Sequence, residues 1–330
     1  MKKIINAPEQ YTDDMLKGIY RAHSDQVMYV NDDLRCYCKK NCVPGKVAII
    51  TGGGTGHLPL FLGYVGENLL DGCAVGSVFQ SPSAEQIFEV SKQVEQGSGI
   101  LYLYGNYTGD IMNFDMAAEM CEMEDIRTCS IVGADDVNSS EDVDKRRGVA
   151  GIFFLYKCAG AKAAQMGTLD EVLAAAQKAK DNTRTVGFAL TPCVIPEVGH
   201  PNFTLGENEM AMGMGIHGEQ GIWNGPVKTA DELAKESLET LLKDMPVAQG
   251  EEVALLINGL GATSIEELYI LSERVSHYLD EKGISIYRTF VGEYATSMEM
   301  AGASISIMKL DEESKQWLDM PVNTPFYCQK

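Results

Sequence analysis

The sequence predicts an α/β fold of two domains, each a mostly parallel or mixed sheet covered by helices. The chain has 330 residues, 45% of them hydrophobic, which is more than one hydrophobic core usually accommodates. Short apolar runs alternate with amphipathic helical patterns, as in proteins whose strands are covered on both faces. A polar stretch, KAKDNTRT at 178–185, separates two series of such runs. We therefore place one domain at residues 1–183 and a second at 184–330.

Each predicted domain contains short buried strands followed by loops and helices. The predicted strands are KVAII (46–50), GILYLY (99–104), TCSIV (128–132), TVGFAL (185–190) and VALLI (253–257). The first of them leads into a glycine-rich loop, and the second leads through GNYTGD into a helix. Two further helices are predicted by capping boxes, formed by Thr168 with Glu171 and by Ser264 with Glu267.

Composition excludes several classes of function. The formal charge is −20, and no stretch clusters Lys and Arg into a surface that neutralises phosphates, so nucleic acid and anionic membranes are not expected partners. No apolar run approaches the roughly 20 residues of a membrane helix, and no signal peptide opens the chain, which predicts a cytoplasmic protein. The nine cysteines are scattered and lack paired zinc-ligand spacing. We expect reduced thiols and no directly bound metal.

The first candidate site is TGGGTGH at 51–57, directly after a predicted strand. Consecutive glycines, including Gly53 and Gly54, let backbone N–H groups approach a ligand closely. The stretch is not a Walker A loop, because no Lys-Ser/Thr pair follows, and it lacks the third glycine of the dinucleotide fingerprint. A small polar ligand fits it better than a nucleotide, and a tight turn without function is the alternative.

Two further loops carry ionisable side chains. Asp110, in GNYTGD at 105–110, follows the end of a strand, where open α/β sheets bind ligands. It is either a helix N-cap or a general base beside a ligand hydroxyl. His217 lies in GMGIHGEQGI at 213–222, where neighbouring glycines predict a ring that a small molecule can reach. Burial favours the neutral imidazole, which is a nucleophile, although a lone histidine is commonly structural.

Several motifs in order resemble one family. They are GGGTGH, GYVG, SPS, NYTGDIMNF, KRRGVAG, FTLGENEMAMGMGIHGEQGI and LGATSIEELY. The chain resembles, over nearly its whole length, the dihydroxyacetone-binding subunit of bacterial dihydroxyacetone kinases. The resemblance implies a homodimer of two-domain chains with a substrate pocket between the domains.

The resemblance also implies roles for particular residues. His217 would attack the ketone of dihydroxyacetone and hold it as a covalent hemiaminal. Asp110 would take the proton from the attacking hydroxyl, and His57 would bind substrate or the transferring group. Further pocket residues would be Gly53, Gly54, Ser81, Ser83 and Gly105. Nucleotide, as ADP or ATP with Mg²⁺, would reside on a separate subunit, which a protein of the phosphotransferase system usually recharges from phosphoenolpyruvate.

Three positions depart from the family's usual pattern. Gly105 stands where a substrate-contacting lysine is usual, Leu58 where glutamate is usual, and Gly259 where asparagine is common. The chain is therefore a dihydroxyacetone kinase subunit, a subunit for another small ketose such as erythrulose with Gly105 enlarging the pocket, or a non-catalytic coactivator. The coactivator would bind dihydroxyacetone and then contact a transcription factor. Retention of a histidine nucleophile together with a candidate base favours the enzyme.

Overall fold

The computed structural model describes residues 2–330, which form two six-stranded sheets covered by eight α-helices. The first sheet contains β1 (Val27–Val30), β2 (Asp33–Lys39), β3 (Ala48–Thr55), β4 (Gly72–Val78), β5 (Ile100–Gly105) and β6 (Thr128–Gly133). The second contains β7 (Thr183–Ala189), β8 (Glu209–Met212), β9 (Trp223–Pro226), β10 (Glu252–Gly259), β11 (Ser285–Gly292) and β12 (Gly302–Lys309). A two-stranded ribbon is formed by β13 (Val322–Asn323) and β14 (Cys328–Gln329). The helices are α1 (Tyr11–Ala22), α2 (Ala84–Val94), α3 (Thr108–Glu122), α4 (Ile152–Ala164), α5 (Leu169–Asp181), α6 (Ala230–Asp244), α7 (Ile265–Glu281) and α8 (Glu312–Asp319).

Both large sheets are mixed. The order in the first is β1-β2-β4-β3-β5-β6, where β4, β3, β5 and β6 are parallel and β2 is antiparallel to both neighbours. The order in the second is β11-β10-β12-β7-β8-β9, where only β10 and β11 are parallel neighbours. The predicted α/β architecture is confirmed. Because β3 and β5 are parallel, their carboxyl ends meet at one edge of the first sheet.

Helices cover the sheets in layers. Helices α2 and α3 pack on one face of the first sheet, and α6 and α7 pack on the outer face of the second. Helix α4 is buried along nearly its whole length, and its Phe153, Phe154 and Tyr156 belong to a core cluster that includes Ile49 of β3 and Leu256 of β10. The apolar helix α4 thus joins the inner faces of the two sheets. One continuous core therefore holds both sheets in place.

The glycine-rich stretch differs from its sequence prediction. Residues 51–55 are not a loop, because β3 continues to Thr55 and these residues pair with β4. The glycines are required by close packing: a Cβ at Gly53 would overlap the ring of Phe61, and one at Gly54 would collide with the backbone of Phe79 and Gln80. Pairing with β5 stops at Ile50. On that side, the backbone of the glycines extends beyond the ladder.

Other local predictions agree closely with the structure. The predicted runs correspond to β3, β5, β6, β7 and β10. Both predicted capping boxes are present, at the first residues of α5 and α7. Helix α7 buries an apolar stripe with helical spacing, formed by Leu268, Leu271, Val275 and Leu279.

The carboxyl-terminal segment returns to the first sheet and its helices. Lys157 of α4 donates to the carbonyl of Met320 at 2.8 Å, and Thr324 donates to the carbonyl of Gly63 at 2.7 Å. Trp317 and Leu318 of α8 belong to the core that contains α4. The predicted division at 183/184 falls within the first residues of β7, and the residues after 311 pack mainly against the part before it.

Candidate functional site

Three elements bring the three predicted ionisable residues together. His57 follows the carboxyl end of β3, Asp110 lies in the first turn of α3 after β5, and His217 lies between β8 and β9. The ring centroids of His57 and His217 are 4.8 Å apart, and Asp110 is close enough for His217 to influence its ionisation. Residues 53 apart or more in the sequence therefore share one site where the two sheets meet.

His57 is fully buried and has one unsatisfied nitrogen. Its Nδ1 lies 2.8 Å from the carbonyl oxygen of Thr296, and its ring stacks on Phe79 at 4.8 Å. A carbonyl only accepts, so Nδ1 carries the proton and Nε2, which has no partner, is a hydrogen-bond acceptor. Burial, with a smaller contribution from His217, lowers the pKa of His57 to about 3. The ring is therefore neutral at physiological pH and offers a lone pair.

Glu219 orients the imidazole of His217. The Oε1 atom of Glu219 lies 2.9 Å from His217 Nδ1, and its Oε2 accepts from the backbone N–H of His217 at 3.0 Å. Burial alone would raise the pKa of Glu219, but the hydrogen bond with His217 and the charges of His217 and Arg147 lower it to about 2. The carboxylate is ionised and accepts the Nδ1 proton. In the neutral form of the ring, Nε2 carries the lone pair that a nucleophile needs.

Aromatic rings confine the His217 imidazole. Tyr107 contacts it edge to face at 4.7 Å and Phe79 at 5.2 Å. The side chain of His217 remains 24% exposed, whereas His57 is completely buried. His217 is therefore the histidine of the pair that a ligand can reach from solvent.

The glycines around His217 make room for protein atoms. A Cβ at Gly215 would overlap the carboxylate of Glu219, and one at Gly218 would overlap the amide of Asn202. That amide donates to the carbonyl of His217 at 3.0 Å. The sequence suggested that these glycines clear space for a ligand. The structure shows that they admit the side chains that hold the histidine.

Asp110 is not a helix N-cap. Tyr107 is the N-cap residue of α3, and Asp110 is the third residue of the helix, only 4% exposed. Its Oδ1 atom has no hydrogen-bond partner. Burial raises the pKa of Asp110 to about 6, although the Ser81 hydroxyl and His217 lower it. A buried carboxyl that titrates near neutrality and has a free oxygen has the chemistry of a general base.

The remaining predicted residues differ in how they meet the site. Ser81 approaches the first turn of α3, where it bonds to Asp110, whereas Ser83 is exposed and caps α2 by accepting from the Gln86 N–H. A Cβ at Gly105 would lie 3.0 Å from a ring carbon of Tyr107. Tyr107 therefore covers Gly105.

Sequence reasoning missed four residues that shape this site: Phe79, Tyr107, Arg147 and Glu219. A carboxylate two positions after His217 was the one available signal. Among residues 2–330, no group of three or more His, Cys, Asp or Glu side chains is arranged to hold a metal ion. All nine cysteines are free thiols, and no helix in this range is long and apolar enough to cross a membrane.

Comparisons with known proteins agree on one family. The family model for the Dak1 domain matches residues 17–326. The chain is 43% identical over 328 residues to the dihydroxyacetone-binding subunit DhaK of PTS-dependent dihydroxyacetone kinase 2 from Listeria innocua, with 99% of each chain covered. It is 40% identical to the D-erythrulose kinase of Mycolicibacterium smegmatis, over 99% of this chain and 56% of that protein. The solved structure of the dihydroxyacetone kinase operon co-activator Dha-DhaQ matches with a TM-score of 0.88 and 31% identity, over 94% of this chain and 96% of that one.

Proposed function

Because this chain belongs to the Dak1 domain family, we propose that it is the substrate-binding subunit of a dihydroxyacetone kinase, a phosphotransferase that acts on an alcohol group. Its 43% identity to a dihydroxyacetone-binding subunit over the full length of both chains supports this assignment. The observation that carries it is the placement of His217, held through Nδ1 by Glu219, beside His57 and the buried Asp110.

His217 captures the ketose covalently in this proposal. Nε2 attacks the carbonyl carbon of dihydroxyacetone, a C–N bond forms and the C=O π bond breaks. The oxygen takes up one proton from solvent while the ring keeps its Nδ1 proton, so the hemiaminal carries one positive charge on the ring. The ionised Glu219 stabilises the positive charge that develops on the ring. A polyol such as glycerol has no carbonyl and is rejected because it cannot form this bond.

Asp110 and His57 then act on the hydroxyls of the bound ketose. Asp110 accepts the proton of the hydroxyl that attacks the phosphoryl donor, since its Oδ1 is free and its pKa is about 6. Nε2 of His57 only accepts hydrogen bonds, so it binds a substrate hydroxyl rather than the anionic transferring group. The backbone at Gly53 and Gly54 and the hydroxyl of Ser81 would line the rest of the pocket. Orientation of an acceptor hydroxyl supplies much of the catalysis in phosphoryl transfer.

Nucleotide chemistry would be supplied by a partner. We propose that a separate subunit carries ADP or ATP with Mg²⁺ and that a phosphotransferase-system protein recharges it. This chain would bind no cofactor of its own. A homodimer in the cytoplasm is part of the same proposal.

Two alternatives each rest on one similarity. The likeness to the co-activator Dha-DhaQ favours a ligand-sensing protein, and the likeness to a D-erythrulose kinase favours a longer ketose. A protein that only captures a ketose has no use for a buried carboxyl whose ionisation burial disfavours, so Asp110 favours the enzyme.

The test is turnover with a donor-loaded partner subunit that is known to be active. Dihydroxyacetone and erythrulose are supplied in parallel, and phosphorylated product is measured. The controls are His217→Ala, which should show no turnover, and His277→Ala, which changes an exposed histidine of α7 paired with Glu281. Rapid phosphorylation of dihydroxyacetone supports the dihydroxyacetone kinase. Faster phosphorylation of erythrulose than of dihydroxyacetone would make erythrulose the preferred substrate. Capture of a ketose without turnover supports the ligand-sensing protein.

A further inference from the structure

The motif KRRGVAG, at 145–151, has no role in the chemistry described so far. Its two arginines lie where the two sheets meet. Arg146 donates through Nη1 to Asp244 of α6 at 2.8 Å, and Arg184 of β7 donates to the same carboxylate at 2.5 Å. Arg146 therefore ties the loop after β6 to elements of the second sheet. Its side chain makes no contact with His217 or Glu219.

Arg147 joins the same region to the histidine. Its Nε donates to Asp136 at 3.0 Å, its Nη2 donates to the carbonyl of Gly213 at 2.9 Å, and its Nη1 lies 3.8 Å from Glu219 Oε2. The Arg147 side chain is only 14% exposed. One planar cation thus contacts the loop after β6, the first residue of the β8–β9 loop that carries His217, and the carboxylate that binds His217.

Asp136, the partner of Arg147 in the loop after β6, is itself held in place. Asp136 donates its backbone N–H to the carbonyl of Arg147 at 3.1 Å. The preceding Asp135 accepts from the N–H groups of Val149 and Gly151 at 2.9 and 2.8 Å, and from the hydroxyl of Thr185 in β7. Arg147 is therefore held on a rigid support when it meets Glu219.

We propose that Arg147 is a positioning residue: it holds the Glu219 carboxylate so that Oε1 faces Nδ1 of His217 and Nε2 faces the substrate carbonyl. This inference rests on the proposed function. Glu219 divides its two oxygens, with Oε1 on the ring and Oε2 shared by Arg147 and the backbone N–H of His217. Gly215 is required because a Cβ there would overlap both Arg147 Nη1 and Glu219 Oε2. The carboxylate cannot rotate without losing one of these contacts.

Arg146 provides a matched control, because it belongs to the same motif and the same joint but does not contact Glu219. We would compare Arg147→Met with Arg146→Met in three measurements. The first is the Nδ1 proton resonance of His217 in ligand-free protein labelled with ¹⁵N-histidine, assigned by its loss in His217→Ala. The second is the affinity for dihydroxyacetone labelled with ¹³C at C2, whose carbonyl signal is replaced by a hemiaminal signal on capture. The third is the thermal midpoint.

Arg147→Met should broaden or shift the Nδ1 proton resonance and weaken capture at least tenfold. Arg146→Met should lower the thermal midpoint and leave the Nδ1 proton resonance of His217 unchanged. Its affinity for dihydroxyacetone should stay within twofold of the wild type. Arg147→Lys should fall between wild type and Arg147→Met, since one ammonium group cannot span Asp136, Gly213 and Glu219 together. If Arg147→Met does not fold, Arg147→Gln is judged by the same criteria.

Two results would overturn the inference. One is a normal Nδ1 resonance with normal capture in the Arg147 variants. The other is equal loss of capture in the Arg146 and Arg147 variants. That result would mean that both residues only stabilise the contact between the two domains. Failure of the wild-type protein to capture dihydroxyacetone would instead refute the proposed function, and the Nδ1 resonance in ligand-free protein would still decide the role of Arg147.

Discussion

Replacement of Asp110 by asparagine should increase stability and reduce activity. Burial raises the pKa of Asp110 from 3.8, the value of an exposed aspartate, to about 6 in the folded protein. The folded state therefore binds this proton more tightly than the unfolded state, and stability falls as pH rises from about 4 to about 6. A shift of about two pH units, at roughly 1.4 kcal/mol per unit, is a penalty of about 3 kcal/mol above pH 6. Asp110→Asn removes the charge, so the variant should be more stable than wild type by up to this amount at pH 8.

Urea unfolding at pH 4 and pH 8 measures this difference. The control is Asp115→Asn, which changes an exposed carboxylate on the same helix. Turnover of Asp110→Asn should fall about 10²-fold or more, with capture of dihydroxyacetone retained. A stability difference from wild type that does not depend on pH would refute the argument from burial. Undiminished turnover would show that Asp110 is not the base.

Three further substitutions test other parts of the site. Glu219→Gln should weaken ketose capture about tenfold, because a neutral amide binds the Nδ1 proton less strongly than a carboxylate. Titration with ¹³C-labelled ketose measures the affinity, and Glu281→Gln is the control. Unchanged affinity in Glu219→Gln would contradict the role of Glu219. His57→Gln should flatten the loss of stability between pH 6.5 and about 3, because the low pKa of buried His57 means that only the unfolded state takes up its proton over this range. Urea unfolding at several pH values across that range measures the unfolding free energy. Equal slopes of this free energy against pH in wild type and variant would disprove the explanation. Gly53→Ala should destabilise the fold by about 1–3 kcal/mol through overlap with Phe61. The control is Gly18→Ala in α1, which has open space around it and should stabilise the fold by up to about 1 kcal/mol. A thermal midpoint for Gly53→Ala equal to that of the wild type would contradict the packing argument.

Five strands and three helices could be read from local patterns, because these patterns depend on neighbours in sequence. The stripe of α7 repeats every three or four residues, and its capping box lies within four residues, so both were predictable. The stretch after Ile50 was misjudged because glycine content alone does not distinguish a turn from a strand that is closely packed. Phe61 and Phe79, which demand glycine at positions 53 and 54, approach only in the folded chain.

The candidate site shows the same division. The motif residues His57, Asp110 and His217 were identifiable from the sequence, because their loops follow strands and match a family pattern. Their chemistry depends on partners from distant segments: Thr296 orients His57, and Arg147 supports Glu219.

The sequence by itself determined the α/β class, the positions of five strands and three helices, and the three side chains expected to carry the chemistry, since each depends on residue type and short-range spacing. Only the tertiary structure decided that Asp110 is buried rather than a helix cap, and that Tyr107 fills the space over Gly105. It also showed that the glycines beside His217 admit Glu219 and Asn202. These properties arise from burial and from contacts between segments far apart in the chain, and residue spacing does not encode either of them directly.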